Sequence, residues 1–369
     1  MMDTKFTLNR NNKIIPMILM AVGLVAILLG FTTQHDHTRI WATLLHNNFY
    51  FMSIALAGTF FVALQYVAQA GWAIGLIRVP EAMGGFLKYA MPIMILIFAF
   101  GHHDLYHWTH SELYLKTIDG KANPAYDHIL DGKSGLLNVP FYVFRLVAYS
   151  AIWIGFWYMI RKNSTTEDLN GGLTYFRKNI TLGAILLVLF AVTSSTSAWD
   201  LLMSLDAHWF STLFGWYIFI GMFVTCMTVI CLFTLYLKLR GYLQHVNENH
   251  LQDVGKFMFA FSIFWTYLWF SQFMLIWYAN LPEEVVYYKI RWELFKPLWA
   301  ANLIINFCLP IIILMTRDAK RKARVLWVAG IIMLCGHWLD IWLMVSPGTL
   351  GAHAQIGYIE IGTMCFFLG

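Results

Sequence analysis

The sequence predicts an all-α, polytopic membrane protein with about ten transmembrane helices forming one transmembrane domain over 1–369. Three observations carry this. First, 59% of the 369 residues are apolar and 12% charged, where soluble domains run near ~45–50% and ~25%. Length alone would suggest two or three soluble domains, but this composition describes one bundle whose solvent is lipid. Second, apolar runs of about twenty residues recur along the chain, the length a helix needs to cross a ~30 Å hydrocarbon core at ~1.5 Å per residue. Third, Lys and Arg alternate in density: the N-terminus and every second connection after it carry 17, the alternate connections 7. By the positive-inside rule the N-terminus is cytoplasmic.

The runs fall at roughly 14–31, 50–77, 86–102, 139–160, 180–204, 213–237, 256–278, 297–315, 325–345 and 356–369. Lys5, Arg10 and Lys13 precede the first run, but no small-residue cleavage site follows it, so a retained helix is expected rather than a signal peptide. The last run reaches Gly369 still apolar and too short to span, so the chain is expected to continue. The basic cluster Arg317, Lys320, Arg321, Lys322 and Arg324 marks the inner face. The segments 103–138, 205–212, 279–296 and 346–355 then lie outside. The first of these holds His103, Asp104, His107, His110, Asp119, Asp127 and Asp131, and is too small for its own core, so it must pack on the bundle or a partner. Five cysteines (Cys226, Cys231, Cys308, Cys335, Cys365) all lie in apolar stretches without a C-x-x-C pair, and read as packing residues.

Ionisable groups inside spans cost about 2.5–3.5 kcal/mol each on insertion scales, so they face the interior and tend to have a task. Arg145 in the fourth span reads either as a residue reaching for headgroups or as an internal charge, with Asp200 as the candidate partner. In the fifth span Ser197, Asp200 and Ser204 share one helix face. Back-bonded serines would explain the hydroxyls but not Asp200, so a hydrated polar file is favoured. His337 and Asp340, three apart, share a face of the ninth span. They read as a proton-exchanging pair or as a packing lock, with Glu360 a candidate extension. Nearer the inner side lie Gln65 and Gln69, then Asn302 and Asn306, each pair one turn apart. Interhelical hydrogen bonding is their common role, and carrying water inward is the alternative. Gln272 lies in the outer half of the seventh span. No spanning segment looks broken by Gly or Pro at mid-depth, which counts against a secondary transporter.

Only His337 lies well inside a run, which argues against a bis-histidine haem. His102, His103, His107 and His110 have helical spacings that could hold a metal, though surface solvation is the simpler reading. No phosphate loop, H-E-x-x-H or G-x-S-x-G occurs, and no basic stripe suggests nucleic acid. Trp and Tyr near run ends fit interfacial belts; a quinone pocket would have the same composition. SAWDLLMSLD and GHWLDIWLMVSP place Asp200 and Asp340 alike, four spans apart. That weak echo suggests two four-helix bundles, about 50–204 and 213–345, flanked by 14–31 and 356–369.

Four stretches carry a resemblance: GKSGLLNVPFYVFR (132–145), SAWDLLMSLDAHWFSTLFGWY (197–217), KFMFAFSIFWTYLWFSQFMLIWYANLPEE (256–284) and CGHWLD (335–340). Together they resemble the ActF-type, NrfD-like membrane subunit of bacterial alternative complex III, from about the second span to the end. The resemblance implies a polysulfide-reductase-like pair of four-helix bundles in the bacterial inner membrane. It implies a non-redox subunit of a quinol:cytochrome c oxidoreductase, supporting quinol or menaquinol oxidation and offering a polar route for protons. It implies no cofactor of this chain's own, with haem c and iron–sulfur clusters in partner subunits. Those partners would be a larger NrfD-like subunit with the quinol site, a periplasmic iron–sulfur subunit, multihaem and monohaem cytochrome c subunits, and a terminal cytochrome c oxidase, with lipids around them. Asp200, Asp206 and His208 fall in the WD…SLDAHW motif, and His337 and Asp340 in GHWLD. A direct quinone-binding role is the neighbouring alternative.

Overall fold

A computed structural model describes residues 10–34, 36–118 and 121–369; Lys5 and Asp119 lie outside the described residues. The chain is all-α apart from a hairpin of two short strands, β1 (Thr117–Ile118) and β2 (Lys121–Ala122). The helices are α1 (Arg10–Thr33), α2 (Thr38–Val67), α3 (Arg78–Met83), α4 (Leu87–Leu105), α5 (His128–Lys133), α6 (Val139–Asn170) and α7 (Thr174–Leu201). They continue with α8 (Leu213–Leu239), α9 (Glu248–Ala279), α10 (Pro282–Leu303), a π-helical turn (Ile304–Cys308), α11 (Leu309–Leu314), α12 (Ala323–Leu350) and α13 (Tyr358–Leu368). Among the described residues nine helical segments are long and apolar enough to cross a membrane, α3–α4 and α10–α11 each counting as one. The chain is a multi-pass membrane protein.

Burial sorts the spans. In α2, α8 and α12 about three quarters of the apolar window is buried (78%, 72% and 72%), against 17% in α1. These three form the central shaft, packing on one another. α4, α6 and α7 pack around α2 on one side; α9, α10 and α11 complete a second set with α8 and α12. α1 packs chiefly on α13, which in turn packs on α2. Lipid tails are as apolar as these side chains, so no hydrophobic force drives the helices together and close backbone approach does the work. At the α1–α13 crossing a Cβ on Gly362 would lie 2.2 Å from the Cβ of Ala26.

Several boundaries differ from the sequence expectation, and three of them bear on the buried polar residues. α2 starts at Thr38 rather than 50, because His46, Asn47 and Asn48 interrupt the apolar run yet are fully buried and bonded inside the protein. It ends at Val67 rather than 77, so Gln69 is not on the helix with Gln65 but beyond it, at φ 49°. The third difference is α10. It begins at Pro282, so most of the expected loop 279–296 is helical, and the span it opens is interrupted, contrary to expectation. Phe295 has non-helical angles (φ −125°, ψ 26°) two residues before Pro297, and the π turn follows at 304–308. Proline removes one backbone donor and its ring crowds the carbonyl four residues back, which bends the helix there.

Gly362→Val should destabilise the purified protein by about 1–3 kcal/mol, as overpacking usually does, and so lower its denaturation midpoint. An unchanged midpoint would show that α1 and α13 are not tightly seated.

Candidate functional site

Two buried carboxylates stand out, and they are treated oppositely. Near the C-terminal end of α7, Asp200 (5% exposed) accepts from Arg145 Nε at 2.7 Å and Nη2 at 2.8 Å, and from the Tyr149 hydroxyl at 2.7 Å. Both donors come from α6, one turn apart. The guanidinium also donates to the Leu136 carbonyl and lies 4.3 Å from the Phe141 ring centre. The Arg145–Asp200 contact suggested by sequence is thus made, as a planar two-pronged ion pair with its charge matched in place. The hydroxyls of this patch do not extend it. Ser197 donates back to the Ser194 carbonyl, and Ser204, beyond the end of α7, to the carbonyl of Asp200. Thr193 and Thr196 likewise bond back along the helix. No polar file along α7 forms from these contacts.

Asp340 of α12 (3% exposed) forms no ion pair among the described residues. Its Oδ1 accepts from the Tyr217 hydroxyl of α8 at 2.5 Å and from Asn302 Nδ2 of α10 at 2.8 Å. Its Oδ2 accepts from Trp265 Nε1 of α9 at 3.2 Å. α8, α9 and α10 therefore each supply one neutral donor. Asn306 Nδ2 donates to Asn302 Oδ1 at 2.6 Å, prolonging the chain of polar groups into the π turn. That turn needs room, and Gly336 provides it: a Cβ there would lie 2.2 Å from Asn306 Oδ1. The asparagines expected to form a separate inner group are in fact tied to Asp340.

The expected His337–Asp340 bond is not made. Asp340 turns toward α8, α9 and α10, while His337 Nε2 is buried without a hydrogen-bond partner and its ring sits edge-on to Trp265 at 5.6 Å. The two residues share a cavity instead. A space of about 10 Å³ lies among Ser53, Thr225, His337, Tyr217 and Asp340. A second, of about 20 Å³, lies among Tyr217, Gln272, Arg291, Trp299 and Asp340. A space of about 10–15 Å³ takes one water if polar partners line it. The Gln272 Nε2 group is buried without a partner beside the second cavity.

The remaining expected residues are dispersed. Glu360 does not extend the His337–Asp340 group; it takes two bonds from Arg39 at 2.9 and 2.8 Å and one from the Gly357 amide. Asp206 pairs with Arg291 at 3.1 Å, and His208 meets Asp127 at 2.5 Å. Asp127 also caps α5 by accepting from the amides of Ile129 and Leu130. Partial burial disfavours the ionised carboxyl of Asp127, but His208 and these amides outweigh that and hold it below the usual aspartate range. Gln65 is buried.

Sequence reasoning missed several groups. Arg291, 2% exposed, was placed in a loop; it donates to the carbonyls of Leu343, Tyr287 and Met344 and lies 3.3 Å from the centre of the Tyr287 ring. Tyr217 and Trp265 carry no charge or spacing that sets them apart from the other aromatics of their spans. Glu81, 1% exposed, bonds Ser164 and Arg78, and Arg78 also reaches Asp168. Its signal was a lone Glu followed by a long apolar run. His46 also lies inside a span, so His337 is not alone at depth; His46 Nε2 is engaged with the Trp338 carbonyl at 3.0 Å. Of the four clustered histidines, His102 and His110 bond the carbonyls of Phe98 and His103, and no group among the described residues has metal-binding geometry.

Arg145→Ala should destabilise the protein by about 3–5 kcal/mol, because it strands a buried carboxylate. The double replacement Arg145→Met with Asp200→Leu should recover most of that loss; a double variant as unstable as the single one would refute charge stranding as the cause. The Asp127 contact behaves differently. Its folded-state value is the lower one, so it contributes stability above the ordinary aspartate value of 3.8 and loses it as pH falls below that. Amide exchange in α5 should accelerate over that range, beyond the intrinsic pH effect, in the wild type but not in Asp127→Asn. No protein-family model matches the chain, and no curated protein matches it.

Proposed function

We propose that this chain is an integral subunit of a quinol-oxidising respiratory complex of the alternative complex III type, with Asp340 as a protonatable centre in its second helix set. On this reading the protein sits in a bacterial inner membrane with the basic cluster at 317–324 cytoplasmic. It works beside a larger NrfD-like subunit that holds the quinol site, with iron–sulfur and haem c subunits on the opposite face. The four resembling stretches motivate the family.

The observation that carries the site assignment is the contrast between the two carboxylates. Asp200 is neutralised by an arginine in a fixed geometry, as a structural pair would be. Asp340 is held only by neutral donors beside two water-sized spaces. A carboxyl without a cation changes charge at less cost than one inside an ion pair, since protonation breaks no charge–charge contact. Tyr217, Trp265 and Asn302 then position it, and Asn306 continues the hydrogen-bonded path toward the basic face.

Quinol-driven turnover of the purified complex tests the reading. Asp340→Asn should lower quinol:cytochrome c activity or its proton yield by about a hundredfold or more, the low side of a lost proton-transfer group, while subunits still co-purify. Asp200→Asn should act mainly on stability. Normal turnover in Asp340→Asn would make that residue structural. One observation favours a second class: the broken span α10–α11 beside Asp340 has the form of helices that bind substrate in secondary transporters. A tagged chain that purifies colourless and alone, under conditions that keep other respiratory complexes whole, would support that class.

A further inference from the structure

The larger cavity beside Asp340 has the makings of a binding site rather than a packing defect. It measures about 20 Å³, and about 10–15 Å³ takes one sphere the size of a water. Packing defects are walled by apolar groups, whereas a carboxylate, a carboxamide and phenols face this space. The carboxamide is Gln272 of α9. It is 3% exposed, and its Nε2 is buried without a hydrogen-bond partner. A buried amide left unpaired is costly, so Gln272 is suited to a partner that sits in the cavity. A half-turn about its last torsion presents either its amino group or its carbonyl oxygen, and the charge of that partner decides which.

The charge on the walls favours a cation. Asp340 takes all three of its hydrogen bonds from neutral donors. The other charged group facing the space is Arg291, whose charge is already matched. Its Nη2 meets Asp206 at 3.1 Å and also donates to the Met344 carbonyl. Nε and Nη1 donate to the carbonyls of Leu343 and Tyr287, and the Tyr287 ring covers one face of the guanidinium at 3.3 Å. Arg291 and Asp206 cancel, which leaves the ionised Asp340 as one uncompensated negative charge inside the span Ala323–His353. One carboxylate among neutral groups is too little charge for a divalent metal, and it matches a single positive charge.

The remaining walls select among single charges. Trp269 and Trp299 both face the cavity, with ring centres 4.4 Å apart and planes inclined at 38°. Aromatic faces attract cations, most strongly when the ion is desolvated. They therefore suit ions that give up their water readily. Lithium holds its water tightly. Potassium and ammonium, each about as large as a water, do not. Choline also carries one positive charge, but its methylated head exceeds a water-sized space.

We propose that this cavity binds one dehydrated monovalent cation of water size, potassium or ammonium, between the Asp340 carboxylate, the Gln272 carbonyl oxygen and the faces of Trp269 and Trp299. The cation and a proton are then alternative occupants of one carboxylate. The inference goes beyond the proton role of Asp340 and does not rest on the respiratory reading.

The purified full chain in detergent is heated in potassium, ammonium, lithium or choline chloride at one ionic strength, with unfolding followed by tryptophan fluorescence. The expected result is a saturable rise in the midpoint, by a few degrees, in potassium or ammonium over lithium and choline. The two ions are titrated separately, and the lower half-saturating concentration names the occupant. The rise should vanish in Asp340→Asn and in Gln272→Leu. Should Asp340→Asn fail to fold, Gln272→Leu decides, because the Gln272 Nε2 group bonds nothing in the fold. Gln272→Lys carries an ammonium into the same space, so it should be insensitive to the added ion and more stable than Gln272→Leu. A midpoint no higher in potassium and ammonium than in lithium overturns the proposal. So does a rise that persists in Gln272→Leu, or a Gln272→Lys chain less stable than Gln272→Leu. The measurement involves no turnover, so its failure leaves the proton role of Asp340 standing.

Discussion

Four helices meet on the carboxylate of Asp340. α12 carries it, and α8, α9 and α10 each send one donor to it. In hydrocarbon none of these groups has water to fall back on, so each is held to its partner by the cost of having none. The arrangement fixes how the helices can rotate about their axes. Tyr217, Trp265 and Asn302 must all point inward at one depth, and the aromatic surfaces that follow them along each helix are placed as a consequence. The Trp265–Trp269–Trp299 stack is one such consequence. The first set uses another device: Asp200 takes both its side-chain partners from one helix, so that ion pair joins α6 to α7, while Asn48 Nδ2 donating to the Ala90 carbonyl ties α2 to α4.

The all-α membrane fold was legible because it rests on bulk properties, namely apolar run length and the alternation of basic residues. What was not legible followed from one assumption, that polarity marks the end of a span. His46, Asn47 and Asn48 read as a loop, yet their partners are Trp338, Thr43 and Ala90, two of them distant in sequence. Arg291 misled in the same way, since its acceptors are carbonyls about fifty residues on. At the site, Arg145 with Asp200 could be guessed because opposite charges at similar depth have few other options. Asp340 with Tyr217 could not, because nothing in a tyrosine's local sequence says whether its hydroxyl faces headgroups or a carboxylate.

The irregular backbone of α10 belongs with these contacts. A straight helix would carry Asn302 and Asn306 in fixed register from Pro282 onward. The break at Phe295 decouples the two halves, so that Arg291 can seat against Leu343 and Met344 while Asn302 reaches Asp340, and the π turn then carries Asn306 onto Asn302. Departures of this kind inside spanning helices persist only where surrounding contacts satisfy the freed groups, and they gather at sites with a task.

α1 raises a matter of timing. It precedes the other described helices in the chain, its window is 17% buried, and its neighbour is α13, which follows them all. Chains emerge N-terminus first, so α1 enters the bilayer with its seat still unsynthesised and lies among lipids through the making of α2–α12. Its apolar, weakly charged surface tolerates that wait. The glycines and alanine at its crossing with α13 keep the contact face narrow until α13 arrives to close it.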